Sequence, residues 1–308
     1  MPNIDEAVQD LTTIRDFVRW GMSLFKAAGL HHGHGMPDAQ DEAVYLVLHA
    51  LHLPPDLHAS HFDARLTRSE RRQVAELLAR RVRERLPAPY LTGEAWFAGL
   101  PFFVDQRVLV PRSPIAELIE NRFEPWVDSE RVERILDLCT GSGCIAVACA
   151  MAFPGVAVDG SDISSDALAV AAVNVERHQA DDQVRLVQSD LFSELQGERY
   201  DVIVSNPPYV DAADMAALPP EFRHEPAGAL AAGEDGLDLV RVILREAADH
   251  LTPEGILVVE VGNSAAALEE AYPEVPFTWL EFERGEAEVF LLTAEQLHQY
   301  RDVFAAAA

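Results

Sequence analysis

Four consecutive residues, Asn206-Pro207-Pro208-Tyr209, carry the clearest chemical signal in this sequence. They follow a short apolar run at 201–205, which is typical of a buried strand. Neither proline has an N–H for a sheet ladder, so the chain must leave the strand in a stiff turn. We expect the turn to direct the Asn206 side-chain carbonyl and the Pro207 backbone carbonyl into one small space, where two acceptors would receive a planar NH2 group. A proline-rich turn capped by asparagine is the alternative interpretation.

A second signal lies upstream, in a glycine-rich turn at 139–143 between a strand candidate at 135–138 and an apolar helix candidate at 144–150. Glycines permit a tight turn and let the backbone approach a ligand closely. The turn lacks the G-x-G-x-x-G spacing of a dinucleotide site, so it does not imply that a pyrophosphate binds there.

Two acidic residues follow the next strand candidates, 156–161 and 183–188. Ligands of open α/β sheets bind at the carboxyl ends of the strands, so Asp162 is placed to accept hydrogen bonds from ribose hydroxyls and Asp190 to meet an adenine. Asp162 alone could equally be the N-cap of a helix that starts at Ser164. The order of four such features at successive strand ends favours the ligand interpretation.

The composition limits the class of protein. A chain of 308 residues with 49% hydrophobic residues suggests two domains and a sizeable core. Its first residues lack a basic segment followed by an apolar one, and no apolar run approaches the roughly 20 residues that cross a bilayer. Cys139, Cys144 and Cys149 match no zinc spacing, and their odd number argues against a disulfide framework. We therefore expect a cytoplasmic protein without a metal site or membrane association.

The formal net charge of −27, with Lys26 as the only lysine, makes the chain strongly acidic. Such a surface repels nucleic-acid backbones, so DNA is not an expected partner, and it attracts a basic partner. General adaptation to a saline cell interior would produce the same composition, and the charge does not separate these two explanations.

Helical spacing of apolar residues predicts an N-terminal helical region in three stretches, at 4–29, 38–53 and 67–86. A loop at 31–35 contains three histidines and could bind a metal. A solvated loop is the favoured interpretation, because no acidic residue or cysteine has matching spacing. Eight arginines lie between Arg65 and Arg85, where they could contact RNA or form a solvated helical face, which we favour.

Residues 93–110 alternate apolar and aromatic side chains around a Gly-Leu-Pro turn, which predicts a β-hairpin between two domains. From about residue 134 strands and helices alternate, as in a mostly parallel sheet with helices on both faces. The last two strand candidates, 277–282 and 288–292, are separated only by a short turn at Gly285. This link predicts an antiparallel pair, since a parallel crossover needs a dozen or more residues.

These features resemble the class I S-adenosylmethionine (SAM)-dependent methyltransferases that act on amide or amino nitrogens, and more narrowly the protein-(glutamine-N5) methyltransferases. The resemblance rests on the run from Asp137 to Gly143, on Asp162 and Asp190, and on the tetrapeptide. It implies a doubly wound, mostly parallel seven-stranded sheet with an antiparallel last strand. The domains it implies are a helical substrate-recognition domain at 1–90, a hairpin linker at 91–112 and a SAM-dependent catalytic domain at 113–308.

The resemblance also assigns roles to residues. Asn206 and Pro207 would be catalytic by holding the amide hydrogens, and Tyr209 by packing against the amide plane. SAM would be bound by Asp137, Cys139, Thr140, Gly141, Ser142, Gly143, Asp162, Ile163, Asp190, Leu191 and Asn206. The protein substrate would contact Asn206, Pro207, Pro208, Tyr209, Arg112 and Glu225. Cys139 departs from the family, which usually has glycine there; cysteine is tolerated unless the position needs a positive φ.

Two branches of this family methylate different proteins. The release-factor branch methylates the Gly-Gly-Gln loop of peptide-chain release factors and typically reads Pro-Arg-Pro-Glu-Thr-Glu after the hairpin. Here the run from Val110 to Ile119 reads Val-Pro-Arg-Ser-Pro-Ile-Ala-Glu-Leu-Ile. It resembles the branch that methylates a glutamine of the basic large-subunit ribosomal protein L-three, and it leaves a release factor as the alternative substrate.

Two further interpretations are less favoured. An adenine-N6 DNA methyltransferase uses a similar tetrapeptide on an exocyclic NH2, but it must flip a base and bind phosphates, which a net charge of −27 opposes. A non-catalytic SAM-binding module would not need an intact Asn206.

Overall fold

The computed structural model describes residues 2–284 and 288–306, and the chain forms two compact units. The first contains the chain up to Ala95 together with a later segment, Pro219–His224, and the second contains Trp96–Leu218 and the chain from Glu225 onward. The return of Pro219–His224 to the first unit has no signal in the sequence, because composition and turn residues report only local structure.

The first unit contains the helices α1 (Ile4–Asp10), α2 (Ile14–Ala27), α3 (Ala39–Ala50), α4 (Arg68–Glu84) and α5 (Ala88–Thr92). The predicted helical stretch at 4–29 is two helices. Helix α2 begins at Ile14 because of a capping box: the Thr13 hydroxyl accepts from the Asp16 N–H, and the Asp16 carboxylate accepts from the Thr13 N–H.

Two of the arginines in α4 are structural. Arg71 donates to the carbonyls of Val8 and Leu11 at 3.1 and 3.3 Å, which stabilises the end of α1. Arg81 is 1% exposed and pairs with the buried carboxylate of Glu42. The solvated-face interpretation is therefore wrong at these two positions, where carbonyl and carboxylate acceptors offset the burial of the guanidinium groups.

The histidine loop is also packed. His32 Nδ1 lies 2.5 Å from Glu42 Oε2. His34 is buried, and its ring centroid lies 4.2 Å from that of Phe222 in the returning segment. The expectation of a solvated loop is wrong for these two rings. The described residues contain no group of three or more histidine, cysteine, aspartate or glutamate side chains arranged to hold a metal ion.

A hairpin of β1 (Glu94–Phe97) and β2 (Leu100–Phe103) precedes a seven-stranded sheet. The sheet strands are β3 (Arg134–Leu138), β4 (Ala157–Asp162), β5 (Val184–Gln188), β6 (Tyr200–Ser205), β7 (Leu251–Glu260), β8 (Thr278–Trp279) and β9 (Val289–Thr293). Their order is β5-β4-β3-β6-β7-β9-β8, and β9 alone runs in the direction opposite to the other six strands. This confirms the predicted sheet and its antiparallel last strand. The predicted turn at Gly285 lies outside the described residues.

The helices of the second unit are α6 (Ile115–Glu120), α7 (Cys144–Ala152), α8 (Ser165–Arg177), α9 (Ala212–Ala217), α10 (Asp238–Glu246), α11 (Ala265–Ala271), α12 (Ala294–Gln299) and α13 (Arg301–Ala306). Alternate residues of the central strands pack into two cores. In β6, Val202 and Val204 belong to the core that contains α7, and Ile203 belongs to the core that contains α10. Burial on both faces explains why these strands are continuous apolar runs. Across 2–284 and 288–306, no helix has the length and apolar character that crossing a bilayer requires.

Asn174 of α8 is fully buried and connects the hairpin to the glycine-rich turn. Its Oδ1 accepts from the Phe103 N–H at 2.7 Å, and its Nδ2 donates to the carbonyls of Phe103 and Ser142 at 2.9 and 2.8 Å. One side chain therefore satisfies three backbone groups and fixes β2 beside the turn.

We expect Asn174→Ala to lower the free energy of unfolding by roughly 2–4 kcal/mol, because three backbone groups lose their partner. Urea denaturation followed by circular dichroism measures this change. Asn121→Ala is the matched control: its side chain is exposed and donates to the Glu117 carbonyl, so its effect should stay within about 0.5 kcal/mol. Equal losses in the two variants would contradict the role given to Asn174.

Candidate active site

Four neighbouring parallel strands end level with one another. Leu138, the last residue of β3, is paired with Ser161 of β4 and with Ser205 of β6, and Ser205 is paired with Val259 of β7. Parallel strands that end together bring the residues that follow them to one edge of the sheet. At this level lie Cys139 and Asn206, which follow β3 and β6, and Asp162 and Glu260, the last residues of β4 and β7.

The glycine-rich turn has a conformation that few side chains tolerate. Cys139 has φ +64°, Gly141 +54° and Gly143 +77°. The position that departs from the family pattern thus needs a positive φ, and cysteine there carries strain on the order of 1 kcal/mol that glycine would avoid. Burial raises the pKa of the Cys139 thiol far above its usual value, so the thiol stays protonated at neutral pH. A Cβ on Gly141 would meet no protein atom within 4 Å, so this part of the turn faces open space.

Asp137 holds the turn to the start of α7. Its Oδ2 accepts from the Thr140 hydroxyl at 2.5 Å and from the Ala146 N–H at 3.0 Å. Its Oδ1 is buried without a hydrogen-bond partner in the described part of the chain. Desolvation of this fully buried carboxyl outweighs the two hydrogen bonds and raises the pKa of Asp137 to about 7.

Asp162 is held by backbone groups of two loops. Its Oδ1 accepts from the Ser164 N–H and its Oδ2 from the Gly141 N–H, each at 2.9 Å. The N-cap of α8 is Ser164, whose hydroxyl accepts from the Ala167 N–H, so the N-cap interpretation of Asp162 is wrong. Each carboxylate oxygen keeps a lone pair for a ligand hydroxyl. Burial raises the pKa of Asp162.

Asn206 follows β6 directly. The Ser205 hydroxyl donates to the Leu138 carbonyl at 2.7 Å, which ties the end of β6 to the end of β3. Asn206 is the next residue, and its Oδ1 is buried without a hydrogen-bond partner among the described residues. A desolvated acceptor without a donor costs about 1–3 kcal/mol. The atom is therefore a candidate acceptor for a ligand.

Tyr209 is anchored at both of its oxygens. Its hydroxyl donates to Glu260 Oε1 at 2.9 Å, and its carbonyl accepts from the Ser264 hydroxyl at 2.7 Å. Burial and the adjacent Glu260 carboxylate raise the pKa of Tyr209 well above its usual value. The phenol therefore stays protonated and remains a donor.

Arg112 and Glu225 form a bidentate ion pair. Arg112 Nη1 lies 2.6 Å from Glu225 Oε1, and Arg112 Nη2 lies 3.0 Å from Glu225 Oε2. The Val110 N–H also donates to Glu225 Oε1, at 3.0 Å. The Glu225 side chain is fully buried while that of Arg112 is partly exposed, so Glu225 orients the guanidinium from behind.

A cavity of about 450 Å³ lies at this edge of the sheet. Its wall includes eleven of the predicted site residues: Arg112, Cys139, Thr140, Gly141, Ser142, Asp162, Ile163, Asp190, Leu191, Asn206 and Pro208. The predicted residues that are not part of this wall are Asp137, Gly143, Pro207, Tyr209 and Glu225. Apolar side chains with a few convergent polar atoms are typical of small-molecule sites of this size.

Two residues of the site are not predicted from the sequence. The Ser113 hydroxyl, in the cavity wall, donates to Glu260 Oε2 at 2.5 Å. Glu260 has a signal that could have found it, because it ends the apolar run at 256–259 as Asp162 ends its strand. Ser113 has none, because its partner lies 147 residues away.

A doubly wound sheet with an antiparallel last strand, a glycine-rich turn after its first strand and an asparagine acceptor after its fourth define a class I methyltransferase. Residues 125–235 match the family described as Methyltransferase small domain, and residues 16–93 match the PrmC N-terminal domain.

Two relatives are similar over almost their whole length. The chain is 54% identical to the ribosomal protein uL3 glutamine methyltransferase of Bordetella pertussis, over 94% of this chain and 98% of that protein. It is 51% identical to the protein of the same name from Neisseria gonorrhoeae, over 95% of this chain and 98% of that protein. The chain therefore belongs to the family of ribosomal protein uL3 glutamine methyltransferases, which confirms the resemblance and its branch.

We expect Asp137 to make the folded protein less stable as the pH rises through 7. Its pKa is about 7 in the folded protein and 3.8 in an ordinary environment. The folded state therefore binds the proton more tightly and loses that advantage on ionisation, roughly 2 kcal/mol between about pH 5.5 and about pH 8.5.

Asn cannot ionise, so the unfolding free energy of Asp137→Asn relative to wild type should rise by that amount across the same range. Urea denaturation at the two pH values measures this difference. Other titrations, such as those of His49 and His250, whose burial lowers their pKa values, cancel in the comparison. A difference that does not vary with pH would contradict the assignment.

Proposed function

We propose that this protein transfers a methyl group from SAM to the side-chain amide nitrogen (N5) of a glutamine in ribosomal protein uL3, called L-three above. The observation that carries the proposal is Asn206 Oδ1, a buried acceptor without a donor among the described residues, on a residue of the cavity wall. A primary amide offers two N–H donors in one plane, which suits this acceptor. The names of the two relatives support the choice of a glutamine.

The cavity suits SAM. Asp162 would accept hydrogen bonds from the ribose hydroxyls, and Asp190 would meet the adenine. Ile163, which is 65% exposed, and Leu191 offer apolar contact to the base. Gly141, beside which no protein atom fills the space, would let the amino-acid end approach the backbone. When bound, SAM supplies a methyl group on a sulfonium, which is already strongly electrophilic.

The contribution left to the protein is a receptor for the amide. An amide nitrogen is a poor nucleophile because its lone pair is delocalised into the carbonyl, so orientation is the main gain available. Asn206 Oδ1 and the Pro207 carbonyl would each accept one amide hydrogen and fix the direction of the nitrogen. The same two acceptors would stabilise the positive charge that develops on nitrogen as the N–C bond forms and the S–C bond of the sulfonium breaks. One of the two amide hydrogens would then leave to water as a proton, which restores the neutral amide.

The protein substrate would contact the residues around this receptor. Pro208 and Arg112 belong to the cavity wall, Glu225 holds Arg112, and Tyr209 would pack against the amide plane. The helical region at 1–90 would contribute to substrate recognition. A net charge of −27 favours a basic ribosomal protein over a nucleic acid, and we place the reaction in the cytoplasm.

Asn206→Ala should lower the rate of glutamine methylation about 10²–10³-fold, because it removes an acceptor that acts in the transition state. The affinity for SAM should change little, since Asp162 and the glycine-rich turn remain. Single-turnover assays with tritiated SAM and calorimetric titration with SAM measure the two effects, and Asn121→Ala serves as the surface control. A rate within a few-fold of wild type would contradict the role of Asn206.

The substrate is tested with purified enzyme and tritiated SAM. We expect labelling of free uL3 and little labelling of release factors or duplex DNA. The rate at low uL3 concentration should fall between about 50 and about 500 mM salt, because screening weakens attraction between exposed charges. A rate that holds or rises with salt would favour saline adaptation as the reason for the acidic surface. Preferential labelling of a release factor or of DNA would overturn the proposed substrate.

A further inference from the structure

Glu260 lies beside the tetrapeptide at the end of β7 and is 2% exposed. Each of its carboxylate oxygens accepts one hydroxyl, Oε1 from Tyr209 at 2.9 Å and Oε2 from Ser113 at 2.5 Å. Burial raises the pKa of Glu260, and the two hydroxyls and the charge of Arg112 oppose that rise. Glu260 is not part of the cavity wall. It joins the segments that contain Tyr209 and Ser113 from outside the cavity.

The ring and the backbone carbonyl of Tyr209 are also closely packed. A Cβ on Gly262 would lie 2.6 Å from the Tyr209 ring. A Cβ on Gly236 would lie 2.3 Å from the Tyr209 carbonyl and 2.0 Å from the Ser264 hydroxyl that donates to this carbonyl. The ring, the hydroxyl and the backbone of Tyr209 therefore each have a fixed neighbour, and a side chain at either glycine would displace it.

We propose that Glu260 is a positioning residue for methyl transfer: by holding Tyr209 and Ser113 it fixes the turn that presents the Asn206 acceptor. This inference rests on the proposed function. Two prolines join Asn206 to Tyr209, and their locked φ angles transmit the position of one end of the turn to the other. A displacement of about 1 Å in a positioned group can slow a reaction on the order of 10²-fold, so the anchor at Tyr209 bears on the rate.

The hydroxyls of Tyr209 and Ser113 explain why residue 260 is a carboxylate. A hydroxyl has one hydrogen to donate, and a carboxylate offers an acceptor oxygen to each of the two. Glutamine has nearly the same volume but only one oxygen, so one hydroxyl would have to turn its hydrogen away. Ser113 has little freedom to do so, because its oxygen already accepts from the Ile115 N–H at 3.2 Å.

Methylation kinetics of Glu260→Gln, Tyr209→Phe and the double variant test the proposal. Each single variant should lower kcat roughly tenfold, while the KM for SAM stays within about twofold because the cofactor contacts are unchanged. The double variant should be no slower than the slower single variant, because both changes break the same link. Ser113→Ala should lower kcat less than Glu260→Gln does, because Tyr209 keeps the Glu260 carboxylate as its acceptor. Calorimetric binding of SAM shows whether each variant is folded.

Tyr200→Phe is the matched control. Tyr200 is fully buried, and its hydroxyl donates to the Asp159 carboxylate at 2.7 Å. It begins β6, at the opposite end of this strand from Asn206. The change removes the same kind of hydrogen bond from the same sheet, so it should leave kcat within about twofold of wild type even where it lowers stability.

The side-chain amide resonance of Asn206 in isotope-labelled protein is a second measurement, and it needs no turnover. Glu260→Gln and Tyr209→Phe should each shift this resonance, and Tyr200→Phe should not. The positioning role would be overturned if kcat and the Asn206 resonance were unchanged in both single variants. It would also be overturned if the reductions in kcat of the two single variants multiplied in the double variant. Failure of the proposed function is distinct: wild-type enzyme would then label no glutamine, and the resonance shifts would still decide the role of Glu260.

Discussion

The level parallel pairing of β3, β4, β6 and β7 is the constraint on which the rest of the site depends. It gathers loops that are far apart in the chain at one edge of the sheet, where they satisfy one another's polar groups. Asp162 accepts from the Gly141 N–H, and Ser205 donates to the Leu138 carbonyl. A slip of one residue in this register would turn every side chain of the slipped strand to the other face. The two cores above and below the sheet therefore protect the geometry of the site as well as the fold.

The same edge concentrates polar groups whose burial is costly. Asn206 Oδ1 and Asp137 Oδ1 have no hydrogen-bond partner in the part of the chain that the structure describes, and Cys139 holds a positive φ without being glycine. Each feature lowers stability by an amount of order 1 kcal/mol or more. Such costs are tolerated where the surrounding packing is dense.

Local sequence predicted much of the fold and part of the candidate active site. Apolar runs and turn residues predicted six of the seven strands, all but β7, and the short link before the last strand predicted its antiparallel direction. The tetrapeptide and the acids at the strand ends predicted four residues of the cavity wall, Asn206, Pro208, Asp162 and Asp190. The packed histidine loop and the structural arginines were not predictable. A polar side chain is buried where a partner offsets the loss of water, and the partner is distant in the sequence.

Local sequence alone indicated the chemistry that we propose. Two prolines after an apolar strand dictate a stiff turn, and an asparagine before them provides the amide acceptor. The contacts that hold that turn in place are visible only in the folded protein. Glu260 meets Tyr209 and Ser113 from positions 51 and 147 residues away, and residues 219–224 return to the helical unit. Strand pairing and side-chain hydrogen bonds form between segments whose separation in sequence is unrelated to their distance in space, whereas propensity, turn chemistry and charge are properties of neighbouring residues.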